Sequence, residues 1–217
     1  MICAGVTWAR PTIDGPTGAY GGPYPLARVV RWWGMSTPAR RLYVSMIVSL
    51  DGCIEDPDHD LSWFQDGDPA FELYCDEMID SVGLAVFGRK SYELMVSSWP
   101  RAEGPFAAKM NALPKFVLSR TLASADWAHT TVVRDVEQIA ALKRTEGKPI
   151  VAWAGAGLVA SLAKADLIDE YRLIVHPIVL GGGTPMFGGG ARQQLRLVRT
   201  TQLGEKLAML CYQPLRA

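Results

Sequence analysis

Residues 42–50 read Leu-Tyr-Val-Ser-Met-Ile-Val-Ser-Leu, with Leu42, Val44, Met46, Val48 and Leu50 alternating against Tyr43, Ser45, Ile47 and Ser49. Side chains of a strand point alternately to two faces, and this strand is apolar on both. Such a strand must be covered on both faces, which asks for a sheet packed between helices rather than a one-sided antiparallel sheet. The remaining pattern meets that demand. Leu84–Phe87, Lys115–Ser119, Thr130–Arg134, Pro149–Trp153 and Tyr171–Leu180 read as further strands, the last broken at Pro177. Helical segments lie between them. One starts at the N-cap Asp68 with Pro69 at its first position and carries the stripe Phe71, Tyr74, Cys75, Met78. Others run from Arg89 to about Ser97, from Val136 to Arg144, and from Gly155-Ala156-Gly157 to about Ala165. Two alternating segments near Leu195–Leu203 and Lys206–Gln213 follow without a helix between them, which predicts an antiparallel hairpin at one sheet edge. The expectation is an α/β fold of three αβα layers around a mostly parallel mixed sheet.

Residues 1–40 differ from the rest, with Pro11, Pro16, Pro23, Pro25 and Pro38 among many glycines and no sustained period. They read as a loosely attached extension ahead of one domain over residues 41–217, with Met35 a candidate alternative start. A formal net charge of zero gives no reason to expect a nucleic-acid or membrane-surface partner. No apolar run reaches membrane-spanning length, and the four cysteines and three histidines are scattered without metal-ligand spacing. A cytoplasmic protein without a metal is expected.

In an open parallel sheet, ligands bind beyond the carboxyl ends of the strands, and polar clusters gather there. Gly88-Arg89-Lys90-Ser91 places two cations and a hydroxyl at a helix start, where the macrodipole favours negative charge. A bound anion would reverse that imbalance. Ser119-Arg120 ends the next strand; if the two strands are neighbours, the clusters surround one place suited to a dianionic phosphate such as the 2′-phosphate of NADP. Gly155-Ala156-Gly157-Leu158 opens a loose GxGxxA match at a strand-to-helix turn, which fits a phosphate and equally fits a plain tight turn. For acid–base work, Asp51 ends the first strand and Glu72 borders the apolar stripe of the first helix, where partial burial would raise its pKa.

The order Ser49-Leu-Asp-Gly52, Phe87-Gly-Arg-Lys-Ser-Tyr-Glu93, Ser98-Trp-Pro100, Pro114-Lys-Phe-Val-Leu-Ser-Arg120, Ala154-Gly-Ala-Gly157 and Pro177-Ile-Val-Leu-Gly-Gly-Gly-Thr-Pro-Met-Phe187 resembles the dihydrofolate reductase superfamily. Within it, the chain is most similar to the branch of the C-terminal reductase domain of the bifunctional riboflavin-pathway deaminase–reductase. The resemblance implies a dihydrofolate reductase-like fold, NADPH as cofactor, and a homodimer. It implies that Gly88, Arg89, Lys90 and Ser91 hold cofactor phosphates, Ser119 and Arg120 the adenosine 2′-phosphate, and Gly155, Ala156, Gly157 and Leu158 the pyrophosphate. It also puts Asp51 beside nicotinamide and substrate, and Glu72 at the spacing of the carboxylate of dihydrofolate reductases. The chain departs from the riboflavin branch at Ser45, where that branch usually has a lysine, and has no zinc-deaminase motif. The expected activity is NADPH-dependent reduction of a small heterocycle or sugar imine, similar to 5-amino-6-(5-phosphoribosylamino)uracil reduction. Dihydrofolate or pterin reduction, a non-catalytic NADP-binding module, and a flavin-binding or drug-modifying protein are the alternatives.

Overall fold

The computed structural model describes residues 39–64, 68–188 and 192–216; the extension read over residues 1–40 lies almost wholly outside them. Ten strands and five α-helices follow in order: β1 (Leu42–Val48), β2 (Cys53–Glu55), α1 (Pro69–Ser81), β3 (Leu84–Gly88), α2 (Arg89–Val96), α3 (Pro105–Ala112), β4 (Lys115–Leu118), β5 (Thr130–Val133), α4 (Val136–Lys143), β6 (Ile150–Trp153), α5 (Ala156–Lys164), β7 (Glu170–Val175), β8 (Thr184–Pro185), β9 (Leu195–Leu203) and β10 (Leu207–Pro214). Eight strands form one sheet in the order β5-β4-β3-β6-β1-β7-β10-β9, and β2 pairs with β8 in a small second sheet. The pairings from β5 across to β7 are parallel, whereas β10 runs antiparallel to both β7 and β9.

The two-sided strand pattern explains the layers. Tyr43, Ala85, Phe87, Val151 and Trp153 join one core with Phe71, Met78, Met95 and Met110 of α1, α2 and α3. Their neighbours in sequence, Leu42, Val44, Val86, Ile150 and Ala152, join a second core with Ile139 of α4 and Leu158 and Leu162 of α5. No helix of the described residues is long and apolar enough to cross a membrane.

Three features lie outside the sequence expectations. Helix α3 follows Gly104, with Pro105 at its start and Phe106, Ala107 and Met110 buried. The strand expected to reach Leu180 stops at Val175, because Pro177 has no N–H to continue a ladder. The β2–β8 pair joins segments too short to be read locally.

Lys115, counted in sequence as the polar start of a strand, is fully buried. Its Nζ donates to the carbonyls of Leu113 at 2.6 Å, Met110 at 3.0 Å and Asn111 at 3.1 Å, and lies 4.5 Å from the Trp127 ring centroid. Burial pushes its pKa down to about 8 from 10.5. Between those values the unfolded chain holds the proton that the folded chain releases, so this group makes stability rise with pH across that window. Lys115→Met should strip three carbonyls of a charged donor and cost about 2–3 kcal/mol, read by urea denaturation, and should flatten that alkaline rise.

Candidate functional site

The sheet order creates an opening. From β3 the chain leaves toward β4 through α2 and α3 on one face; from neighbouring β6 it leaves toward β7 through α5 on the other. Adjacent parallel strands whose connections diverge leave a crevice at their carboxyl ends. A cleft of about 1150 Å³ lies there, lined by Gly88, Arg89, Lys90, Ser91, Ser119, Arg120, Gly155, Ala156, Gly157 and Leu158. These ten residues, which the sequence scatters over three segments, are thus brought to one place.

Local geometry shows how. Gly88 pairs with Leu118 across β3 and β4, so the two cationic clusters are neighbours. Ser91 Oγ accepts from Gly155 N at 3.1 Å and ties the start of α2 to the start of α5. A side chain at Gly88 would meet Leu158 Cβ at 3.4 Å, so the small residue permits close helix–strand approach. Both helices have glycine N-caps without a side-chain cap, whereas Asp68 caps α1 and Asp135 caps α4 with a capping box. No side chain caps the first turn of α2 or α5, and in α5 Leu158 N already turns to the Gly155 carbonyl at 3.0 Å, which leaves the amides ahead of it to face an outside acceptor.

The cations differ in their freedom. Arg89 donates to Thr121 Oγ1 at 3.2 Å and lies 3.6 Å from Glu93, both exposed contacts. Arg134, which also lines the cleft, is committed to the carbonyls of Leu122 at 2.7 Å and Ser119 at 2.9 Å. Ser119 Oγ accepts from the amides of Leu122 and Thr121 and so fixes the loop that carries Arg120.

Asp51 and Glu72 are not among the residues that line the cleft. Asp51 is an exposed turn carboxylate that accepts from Gly181 N at 2.9 Å and Leu180 N at 3.1 Å. The Ser49 hydroxyl, with those two amides, holds its pKa down at about 2. The contribution of this staple is present above the ordinary carboxylate value and is lost as pH falls through about 2. Asp51→Ala should raise the amide exchange of Leu180 and Gly181 about tenfold at neutral pH while core amides stay protected. Glu72 sits half-buried on the first turn of α1, and burial followed by the charge of Asp68 raises its pKa. Its pKa is raised as expected, and its helix neighbours Phe71 and Cys75, rather than Glu72 itself, line the cleft.

Other groups occupy the wall. Glu55, His59 and Thr184 line the cleft, with His59 Nδ1 2.9 Å from Glu55 Oε1 and Thr184 Oγ1 donating to the same oxygen. Burial pushes the Glu55 carboxyl up, but the hydrogen bonds from Thr184 and His59 and the charge of Lys90 bring it below its usual range. His59 holds a left-handed backbone, φ 62°, which is uncommon for a residue with a side chain. Ser45 and Tyr74 also line it, their hydroxyls 3.2 Å apart. Burial raises the Tyr74 phenol to about 12, so it stays protonated. The sequence hid this cluster, since Thr184, which donates to Glu55, lies 129 residues further along the chain.

Comparison with known proteins follows the same lines. The family model of the RibD C-terminal domain matches residues 40–209. The uncharacterized protein YyaP of Bacillus subtilis (strain 168) is 31% identical over 182 residues, covering 80% of this chain and 94% of its own length. A solved structure from Shewanella sp. PV-4, assigned to riboflavin biosynthesis, is 26% identical with a TM-score of 0.63, over 81% of this chain and 99% of that one. Dihydrofolate reductase from Enterococcus faecalis, solved with NADP(H), shares the fold at 15% identity and a TM-score of 0.54, over 80% and 96% of the two chains.

Proposed function

The chain belongs to the RibD C-terminal domain family and has a dihydrofolate reductase-like fold, and on that premise we propose that it is a reductase of the riboflavin-pathway type that uses NADPH to reduce a conjugated C=N or C=O of a small molecule. The observation that carries this reading is the meeting, at one switch point, of two uncapped helix starts with Arg89, Lys90 and Arg120. These residues fit NADPH. The amides opening α2 and α5 would take the pyrophosphate, Gly157 leaves open space for its approach, and Arg89 with Ser119 and Arg120 would hold the 2′-phosphate.

NADPH, when bound, supplies the hydride. The chain's own residues position, dehydrate and manage the proton. Trp153, Leu94 and Met95 lie on the cleft wall beside β3 and β6 and exclude water from the reacting ring. His59, bound through Nδ1 to Glu55, leaves Nε2 to carry a proton to the reduced heteroatom. This assigns the proton to groups on the wall rather than to Asp51 or Glu72. The homodimer is proposed on the edge strand β9, where Leu195, Leu197 and Val198 are exposed.

The test is NADPH oxidation in the presence of oxidised pterins, aminouracil ribosides and quinones. Turnover of at least one class, faster with NADPH than with NADH, is the expected result. Tight NADPH binding with no turnover of any class would make the protein a non-catalytic NADP-binding module instead.

A further inference from the structure

We infer that the part of the cleft away from the proposed cofactor phosphates takes an uncharged, flat, largely apolar molecule that carries no phosphate. The inference rests on the reductase reading above and names the class of its substrate.

The sheet order divides the cleft. The ends of β3, β4, β5 and β6, with α5, bring Arg89, Lys90, Arg120, Arg134 and Lys164. Among the described residues that line the cleft, every arginine and lysine belongs to this group. From β1, β2, the segment between β2 and α1, and α1 come Met46, Ile54, Leu61, Phe64, Phe71 and Met78, with the ionised Glu55 as the charged carboxylate of that side. A dianion placed there would give up its water for methyl groups, aromatic rings and the Glu55 carboxylate, which already engages the His59 imidazole of that side.

The floor of this half is neutral. Ser45 is buried in β1 and its hydroxyl meets that of Tyr74. The two hydroxyls lie 3.2 Å apart on the cleft wall, with no ammonium beside them among the described residues that line it. They suit a ring carbonyl or ring nitrogen, which needs one or two hydrogen bonds and no counter-charge. Phe71 and Tyr74 lie 6.4 Å apart with planes 28° from parallel, and with Phe64 they present aromatic surface to a flat ligand.

The experiment uses the full-length protein and begins with NADP⁺ binding by calorimetry. With NADP⁺ saturating, three probes are then titrated: menadione, 5-amino-6-ribosylaminouracil and the 5′-phosphate of that riboside. Menadione should bind, and the phosphate should weaken the riboside about tenfold or more. Leu61→Lys, at the partly exposed rim, should weaken menadione about tenfold and narrow the gap between the two ribosides, with NADP⁺ affinity unchanged. Ser45→Lys should do the same where it folds. Binding of the phosphorylated riboside as tightly as the free one would overturn the inference, as would failure of menadione to bind the NADP⁺-loaded protein or its indifference to Leu61→Lys. Failure to bind NADP⁺ would count against the reductase reading, and the same probes on the cofactor-free protein would still decide this one.

Discussion

Replacing Arg89 and Arg120 together with alanine should weaken NADPH binding by about a hundredfold or more, since each removes a charge-assisted contact of about 1.5–3 kcal/mol. NADH, which has no 2′-phosphate, should bind the variant within a few-fold of its affinity for the unaltered protein. The fold should tolerate both changes. Among the described residues, Arg89 makes an exposed contact to Thr121 and a half-exposed pair with Glu93, of a kind worth less than about 1 kcal/mol. Arg120 is exposed at the end of β4. Arg134 cannot take over, because its guanidinium is held by the carbonyls of Ser119 and Leu122. Fluorescence titration of both dinucleotides against both proteins separates the phosphate term from general damage, and circular dichroism confirms the fold.

The second large effect concerns the wall that carries Glu55. Gly183 has φ +114°, and a side chain there would meet the Glu55 carbonyl oxygen at 2.1 Å and the Asp56 carbonyl carbon at 2.9 Å. Both are backbone atoms and cannot swing aside. Gly183→Ala should therefore push β8 off β2, separating Thr184 from Glu55, and combine backbone strain with overpacking for about 3–4 kcal/mol in all. For a chain of this size that corresponds to a fall in Tm of about 6–16 °C. Gly181→Ala is the control, with φ +72° but nothing within 4 Å of the added carbon. It should pay only the backbone term, about 1 kcal/mol. Equal losses for the two variants would mean that the close approach to Glu55 is not what position 183 protects.

What the sequence made legible follows the range of the interactions. Period-2 and helical patterns located the eight strands of the main sheet and four of the helices, and the apolar residues on both faces of β1 foretold two cores. The polar clusters at the ends of β3, β4 and β6 were legible because each is local to one strand end, and β3 and β4 are neighbours, the condition on which the first two were joined. The adjacency of β3 to β6 was not, since β4 and β5 intervene in the chain and only the crossovers bring Gly155 to Ser91. Ser91, expected to offer its hydroxyl to an anion, uses the oxygen of that hydroxyl to accept from Gly155 N and keeps its O–H to donate. Glu55, His59 and Thr184 were missed for the same reason: Thr184 meets Glu55 across 129 residues. Lys115 was read only as the first residue of a strand, because helix α3, whose end supplies carbonyls two to five residues before it, was not foreseen. Helix α3 was within reach, as Gly104-Pro105 is a start signal that the short apolar stripe behind it was too weak to confirm.

The account stands most directly on cofactor choice. Titrating the unaltered protein with NADPH and with NADH, and following nicotinamide fluorescence, should give binding at least about tenfold tighter for NADPH, from one charge-assisted phosphate contact alone. Equal affinity for the two dinucleotides, or no binding of either, would contradict the assignment of Arg89, Ser119 and Arg120 to a 2′-phosphate, and with it the NADPH-dependent reductase.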